Sequence, residues 1–338
     1  MSISTEVWQE KHRPESLNEI IGHDAVISRM KKYVNDDSVP HLLLSGPPGT
    51  GKTTAVTCFA REVFGDNWRS NFHELNASDQ RGIDDVRDTI KPIAQASPAS
   101  GATYKIIFLD EADNLSRDAQ PALRRIIEKY SDITRFFLSC NHQNQIIGAI
   151  QSRCTPFRFS RLTDDEIRQL LRRIADAEGL SIEVDDIDAI DMIVRGCRGD
   201  ARSAVKFLQN SAVDGEVTIA QVESVIGHVE YDDLDGIVTF AMSGQQDEAV
   251  DGVIDLLKDG ADPEMLTDLL TKVVRNRNDL PEPGRHMAMS KIAETDWRLM
   301  NGANPHVHLQ SLMYDLFVAR HITYGDKYEP GTKYAKES

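Results

Sequence analysis

The stretch HLLLSGPPGTGKTT, residues 41–54, constrains this chain more than any other. Gly46–Thr53 fits the pattern G-x-x-x-x-G-K-[ST] in full. An apolar run precedes it and a helix-forming run follows, the strand, loop and helix order that the pattern needs. Glycines let backbone N–H groups close around phosphate oxygens, and the following helix turns its positive end to the same place. Gly46, Pro47, Pro48, Gly49, Thr50, Gly51, Lys52, Thr53 and Thr54 are therefore expected to cradle a nucleotide. Lys52 would reach the β- and γ-phosphates and Thr53 would hold Mg²⁺. A chance glycine-rich turn is the alternative, and the flanking strand and helix argue against it.

Two further apolar runs resemble the one before the loop. YKIIFLDEAD (104–113) ends in carboxylates and TRFFLSCN (134–141) ends in an amide. Continuous apolar strands separated by helical patterns predict an α/β fold with a parallel sheet covered on both faces. Two stripes supply helices between them: Ile83, Val86, Ile90 and Ile93, then Ala119, Leu123, Ile126 and Ile127. Asp110 is placed to bind Mg²⁺ and Glu111 to orient or deprotonate an attacking water. Without the phosphate loop upstream the pair would read as ordinary helix caps. Asp113 is as readily a cap as a catalytic group. Asn141 would lie beside the γ-phosphate, although asparagine also commonly ends strands as a turn former.

A chain of 338 residues exceeds one ordinary core. The pattern changes near Leu162, where Thr163 and Glu166 form a capping box and Gly179 stops the helix. The expected division is an α/β domain at 1–160, a small all-helical domain at 161–228, a further helical domain at 229–325 and a polar tail at 326–338. No apolar run approaches the ~20 residues of a membrane helix, and the opening MSISTEVWQEKHRP lacks a signal-peptide pattern. A cytoplasmic protein with no membrane partner is expected. Cys58, Cys140, Cys154 and Cys197 form no C-x-x-C pair and sit in apolar surroundings, which predicts buried free thiols rather than a zinc site.

The formal net charge of −16 argues by itself against a nucleic-acid partner. Global charge does not describe a local groove, however. The acidic excess is rich in aspartate and the chain poor in lysine, a composition that suits a salt-adapted cell, where surface charge is screened over a few ångströms. Two arginines stand out. Arg153, in AIQSRCTPFRF, and Arg202, in RGDARSAV, each lie near a helix end. On sequence physics alone both read as solvated side chains.

The set WQEKHRPESLNEIIGHD, HLLLSGPPGTGKTT, LNASDQRGIDDVR, IIFLDEADNLSRDAQPALRR, FFLSCN, QSRC and GDARSAVKFLQ resembles the small subunits of archaeal replication factor C, AAA+ clamp loaders. The likeness covers most of residues 5–230 and extends more faintly beyond. NASDQRG and QSRC together are the specific part. The resemblance implies an ATPase in a five-subunit ring of small and large subunits, which opens a sliding clamp (PCNA) and loads it onto primer–template DNA. It implies that Arg153 acts in trans on a neighbour's ATP, that Arg202 and Asn141 sense the γ-phosphate, and that Val7, Arg13, Pro14, Ile21 and Gly22 line the adenine side. Arg124 and Arg125 would face the adjoining subunit. Arg81, Arg87 and Lys91 become candidates for contact with DNA phosphates, against the equal alternative of a solvated face shared with Asp84, Asp85 and Asp88.

His12 replaces a customary tyrosine, and Gly148–Ala149 an acidic residue followed by proline. These departures leave two readings open, the main small subunit and a second, paralogous one. Other readings are another AAA+ DNA motor, of branch-migration or helicase-loader type, and a low-turnover nucleotide-binding scaffold. The intact Lys52, Thr53, Asp110 and Glu111 weigh against the scaffold.

Overall fold

A computed structural model describes residues 7–36, 39–79, 82–99, 101–184, 188–226, 231–258, 261–300 and 302–321. The chain divides into two compact units, Met1–Val222 and Glu223–Ser338.

The first unit is built on a five-stranded sheet: β1 (His41–Ser45), β2 (Phe72–Asn76), β3 (Lys105–Asp110), β4 (Thr134–Cys140) and β5 (Cys154–Arg158). Their order is β2-β3-β4-β1-β5 and every pairing is parallel. The three predicted strands are the three central ones. Leu42, Leu43, Leu44, Ile106–Leu109 and Phe136–Leu138 are all buried, because helices cover both faces. One face packs Val86, Ile90, Leu123, Ile126 and Ile127. The other packs Met30, Val56, Phe59 and Ala60.

Sequence patterning did not single out β2 and β5, and both are edge strands. In β2 the burial alternates rather than running continuously. In β5 Pro156 stands opposite Leu43, a place that only an edge strand allows, since proline brings no N–H to a ladder. The stripe from Ile83 to Ile93 is one irregular helix in three parts: Ile83–Asp85, a π-helical turn Val86–Ile90, and Lys91–Gln95. Val86 and Ile90 are buried within it, and Ile83 and Ile93 half-buried.

After the sheet come helices Asp164–Glu178, Ala189–Cys197, Ala201–Ser211 and Ile219–Ile226. The capping box is formed: Thr163 Oγ1 accepts from the Glu166 N–H and Glu166 Oε2 from the Thr163 N–H. Gly179 ends that helix at φ 67°, a left-handed turn that glycine adopts without strain. A two-stranded parallel pair, Ser181–Ile182 with Glu216–Val217, joins the helices. All four cysteines are buried free thiols, and burial pushes Cys58, Cys140 and Cys154 up to about 12.

Within the second unit the helices Tyr231–Ser243, Gln246–Lys258, Pro263–Asn276, Glu282–Met300 and Pro305–His321 surround a core that includes Leu234, Leu270, Leu309, Leu312 and Leu316. Among the described residues no helix is long and apolar enough to cross a membrane.

Candidate nucleotide site

The phosphate loop leaves β1 and Asp110 ends β3, yet the two strands are not neighbours. β4 lies between them, so Asn141 emerges from the sheet midway between loop and carboxylates. This order brings three distant stretches of sequence to one cavity, at the carboxyl ends of the strands where α/β sheets bind ligands.

Lys52 begins the helix Lys52–Phe64 and is 8% exposed. Its Nζ donates to Gly46 O at 2.7 Å, Pro47 O at 2.8 Å and Asn141 Oδ1 at 3.0 Å. Burial pushes its amine below the ordinary value, opposed by Asp110, Cys140 and Asp113 and reinforced by Arg202. Thr53 Oγ1 donates to Asp110 Oδ2 at 2.8 Å. Asp110 Oδ1 accepts from Ser139 Oγ and, at 3.0 Å, from the Glu111 N–H. The hydroxyl and carboxylate together are hard oxygen donors, the set that Mg²⁺ prefers.

Glu111 has φ 54°, left-handed for a residue with a Cβ, which stores strain at this strand end. Its Oε2 accepts from Ser78 Oγ and, at 3.1 Å, from Asn114 Nδ2. Asp113 acts as a cap: its Oδ2 accepts from the N–H groups of Asn141 and His142 at 3.0 and 2.9 Å, fixing the turn that carries Asn141.

The helical half of the first unit completes the cavity. Arg202 lines it from the helix Ala201–Ser211, as do Leu170, Arg173 and Ile174 from Asp164–Glu178. The Ala201 N–H donates to Gly49 O at 3.1 Å, joining that helix's start to the phosphate loop. Arg13, Lys52, Arg173 and Arg202 bring four cations to the wall against the carboxylates of Glu10, Asp110 and Glu111. The cavity is thus suited to a polyphosphate despite the acidic chain.

Of the residues expected on the adenine side, Arg13, Pro14 and Ile21 line the cavity, while Val7 and Gly22 do not. Val7 is 55% exposed, capping the short helix Trp8–Lys11. Gly22 serves a close approach instead: a Cβ there would lie 2.7 Å from Leu162 Cδ2. Pro48–Thr54 line the cavity, while Gly46 and Pro47 stand behind it and hold Lys52 through their carbonyls.

Arg153 is outside the cavity, and it has a local partner that no sequence pattern discloses. Its guanidinium pairs with Glu128, which also takes Arg124 at 3.2 Å, and donates to Ala149 O at 2.6 Å. Arg125 is exposed on the same helix as Arg124. Arg87 and Lys91 are exposed, with Arg87 3.8 Å from Asp84, and Arg81 lies outside the described residues.

Sequence patterns do not single out Ser139, which orients Asp110, or Ser78 and Asn114, which hold Glu111. For Ser139 the available signal is one hydroxyl within the buried run Phe136–Cys140, which is otherwise apolar. Ser78 and Asn114 leave none, since serine and asparagine are ordinary in loops.

The AAA family (ATPase family associated with various cellular activities) matches residues 42–162, and the replication factor C C-terminal domain family matches residues 229–315. The replication factor C small subunit of Natronomonas pharaonis is 46% identical over 91% of this chain and 94% of its own length. The chain belongs to the replication factor C small-subunit family. Small subunits from Methanococcus maripaludis (43% identical, 90% of this chain and 96% of that one) and Halobacterium salinarum (42%, 91% and 95%) agree. Membership in the AAA ATPases makes the chain a nucleotide-binding ATPase. Among solved structures, a mutant of Thermotoga maritima RuvB shares the fold at a TM-score of 0.54, covering 81% of this chain and 94% of that one at 19% identity. Another RuvB mutant reaches 0.53 at 21% identity, covering 69% of this chain and 81% of that one. At such identity the likeness concerns fold alone.

Proposed function

We propose that the chain is an ATPase subunit of a cytoplasmic clamp loader, assembled with other small subunits and a large one. In this reading residues 1–160 hydrolyse ATP, 161–228 form a lid and 229–325 a collar through which subunits assemble. Trp297, Met300, Val307 and Tyr314, all exposed on the last two helices, support an assembly role for the collar. ATP binding would draw subunits together around a sliding clamp and primer–template DNA, and hydrolysis would release both. Arg87 and Lys91, with Arg81, would track DNA phosphates without reading sequence.

In hydrolysis, Glu111 takes the proton of a water that attacks the γ-phosphorus, forming the new P–O bond as the bond to the β-phosphate oxygen breaks. Asn141 orients that water, and Lys52 and Arg202 offset the charge on the phosphates. Thr53 and Asp110 would hold Mg²⁺, which offsets phosphate charge when bound.

One observation carries the reading: the site holds its own loop, carboxylates and Asn141 in one cavity, while Arg153 is held outside it with part of its side chain in solvent. An arginine so placed is suited to a neighbour's nucleotide. The test is the ATPase rate of the complex reconstituted with a large subunit. Clamp plus primed DNA should raise it severalfold, and a rate indifferent to both overturns the proposal.

A further inference from the structure

Two pieces of chain, anchored in different places, meet at the cavity wall formed by Arg13 and Pro14. Residues 14–17 are fastened to the helix that follows the phosphate loop. Cys58 Sγ donates to Pro14 O at 3.1 Å, Arg61 pairs with Glu15 at 2.8 Å, and the Leu17 N–H donates to Glu62 Oε1 at 2.7 Å. Residues 8–12 are fastened instead to the helical half. The Trp8 N–H donates to Gln209 Oε1 at 3.0 Å and Gln9 Nε2 to Arg202 O at 2.9 Å. Beyond these, Lys11 Nζ and His12 Nε2 converge on one oxygen, Glu178 Oε1, at 2.6 and 2.5 Å.

Glu178 is the last residue of the helix Asp164–Glu178, one turn beyond Ile174 in the cavity wall. A carboxylate at a helix C-terminus faces the negative end of the helix dipole, so the helix itself disfavours it there. It is also largely buried, with 14% of its side chain exposed. Two donors on one oxygen offset both penalties, and charge-assisted bonds of this kind are strong for their size. His12 itself lines the cavity, its ring edge-on to Trp8 at 6.3 Å. His12 therefore links the cavity wall to this carboxylate.

We propose that Glu178 is a positioning residue for the nucleotide: by gathering Lys11 and His12 on one carboxylate oxygen, it ties the N-terminal strap to the helical half and sets how fast adenine nucleotide leaves. With the bonds of Trp8 and Gln9, that joint holds Arg13 and Pro14 on one side of the cavity against Ile174 and Arg202 on the other. The proposal rests on nucleotide binding in this cavity and adds to it the residue that governs retention.

The test uses the full chain and the fluorescent nucleotide mant-ADP, displaced by excess ADP in a stopped-flow instrument. E178Q, which keeps the shape and removes the charge, should release mant-ADP about tenfold faster, equivalent to about 1.4 kcal/mol. E178D should restore much of the slow release. K11M should speed release too, and the double variant E178Q/K11M should be no faster than E178Q, because both act on one joint. A purely structural role would lower the unfolding midpoint of the nucleotide-free protein without this coupling. Release from E178Q at the wild-type rate, or additive effects of E178Q and K11M, overturns the proposal. Failure of the wild-type chain to bind mant-ADP overturns the nucleotide site itself and this inference with it.

Discussion

Arg153 and Glu128 form an ion pair at the surface of the first unit, and neither residue lines the nucleotide cavity. About a third of each side chain is exposed, so water and salt weaken the pair and the guanidinium can exchange partners. An arginine held in this way is ordered yet available.

Arg153→Ala should leave this chain's own nucleotide affinity unchanged, because the residue is outside the cavity. In the assembled complex the same substitution should lower ATP hydrolysis at the adjoining site, by roughly 10³-fold if it matches arginine fingers elsewhere. Nucleotide titration of the isolated chain and single-turnover hydrolysis by the complex separate the two effects. An isolated chain that hydrolyses ATP at full rate and loses that rate on substitution would place the finger in cis.

Glu111→Gln should bind ATP with near wild-type affinity and stop turning it over. The amide retains an oxygen to accept from Ser78 but cannot take a proton from water. A loss of roughly 10²- to 10⁴-fold in turnover is expected for a removed general base, with little change in binding. Unchanged turnover in the complex would mean that hydrolysis at this site uses another base.

Gly49→Ala should weaken nucleotide binding and destabilise the first unit. Gly49 has φ +71°, and a Cβ there would lie 1.9 Å from Asp200 Oδ1. The clash separates the phosphate loop from the start of the helix Ala201–Ser211, whose Ala201 N–H bonds to Gly49 O. Left-handed strain alone costs about 1–2 kcal/mol for alanine, and the clash adds to it. Calorimetric unfolding should therefore show a lower midpoint, and the double variant with Asp200→Gly should recover part of the loss, because it removes the obstructing carboxylate while glycine remains a tolerable N-cap in place of the Asp200 bond to the Ser203 N–H.

Stability should fall as the solution is acidified from about pH 6.5 towards 4. Burial, with the Arg135 charge beside it, pushes the His41 imidazole from 6.5 down to about 4. Its Nδ1 accepts from the Phe136 N–H at 3.0 Å, a bond that only the unprotonated nitrogen can make. The unfolded chain binds the proton first, so the stabilisation is complete above pH 6.5 and is lost as pH falls to about 4. The loss amounts to about 3 kcal/mol. Burial lowers His23 and His73 as well, which acts in the same direction. Urea unfolding at several pH values measures the slope, and His41→Asn should flatten it because the amide does not titrate.

What the sequence determined by itself is what short stretches encode. Gly46–Thr53 dictates a phosphate loop through glycine freedom and the helix start. The apolar runs ending at Asp110 and Asn141 are buried strands because helices cover both faces of the parallel sheet they enter. The capping box at Thr163 and Glu166 is likewise complete within four residues. Strand order is different in kind. Only the parallel pairing of β4 between β1 and β3 brings Asn141 to Lys52, across 89 residues. No periodicity marks the edge strands either, since edge burial alternates or is interrupted by proline. The contacts of Arg153 with Glu128, and of Lys11 and His12 with Glu178, join charges far apart in the chain. A charged residue in sequence reads as solvated until a partner is found for it. Packing of the helical half against the N-terminal strap supplied that partner, and with it the closed side of the cavity.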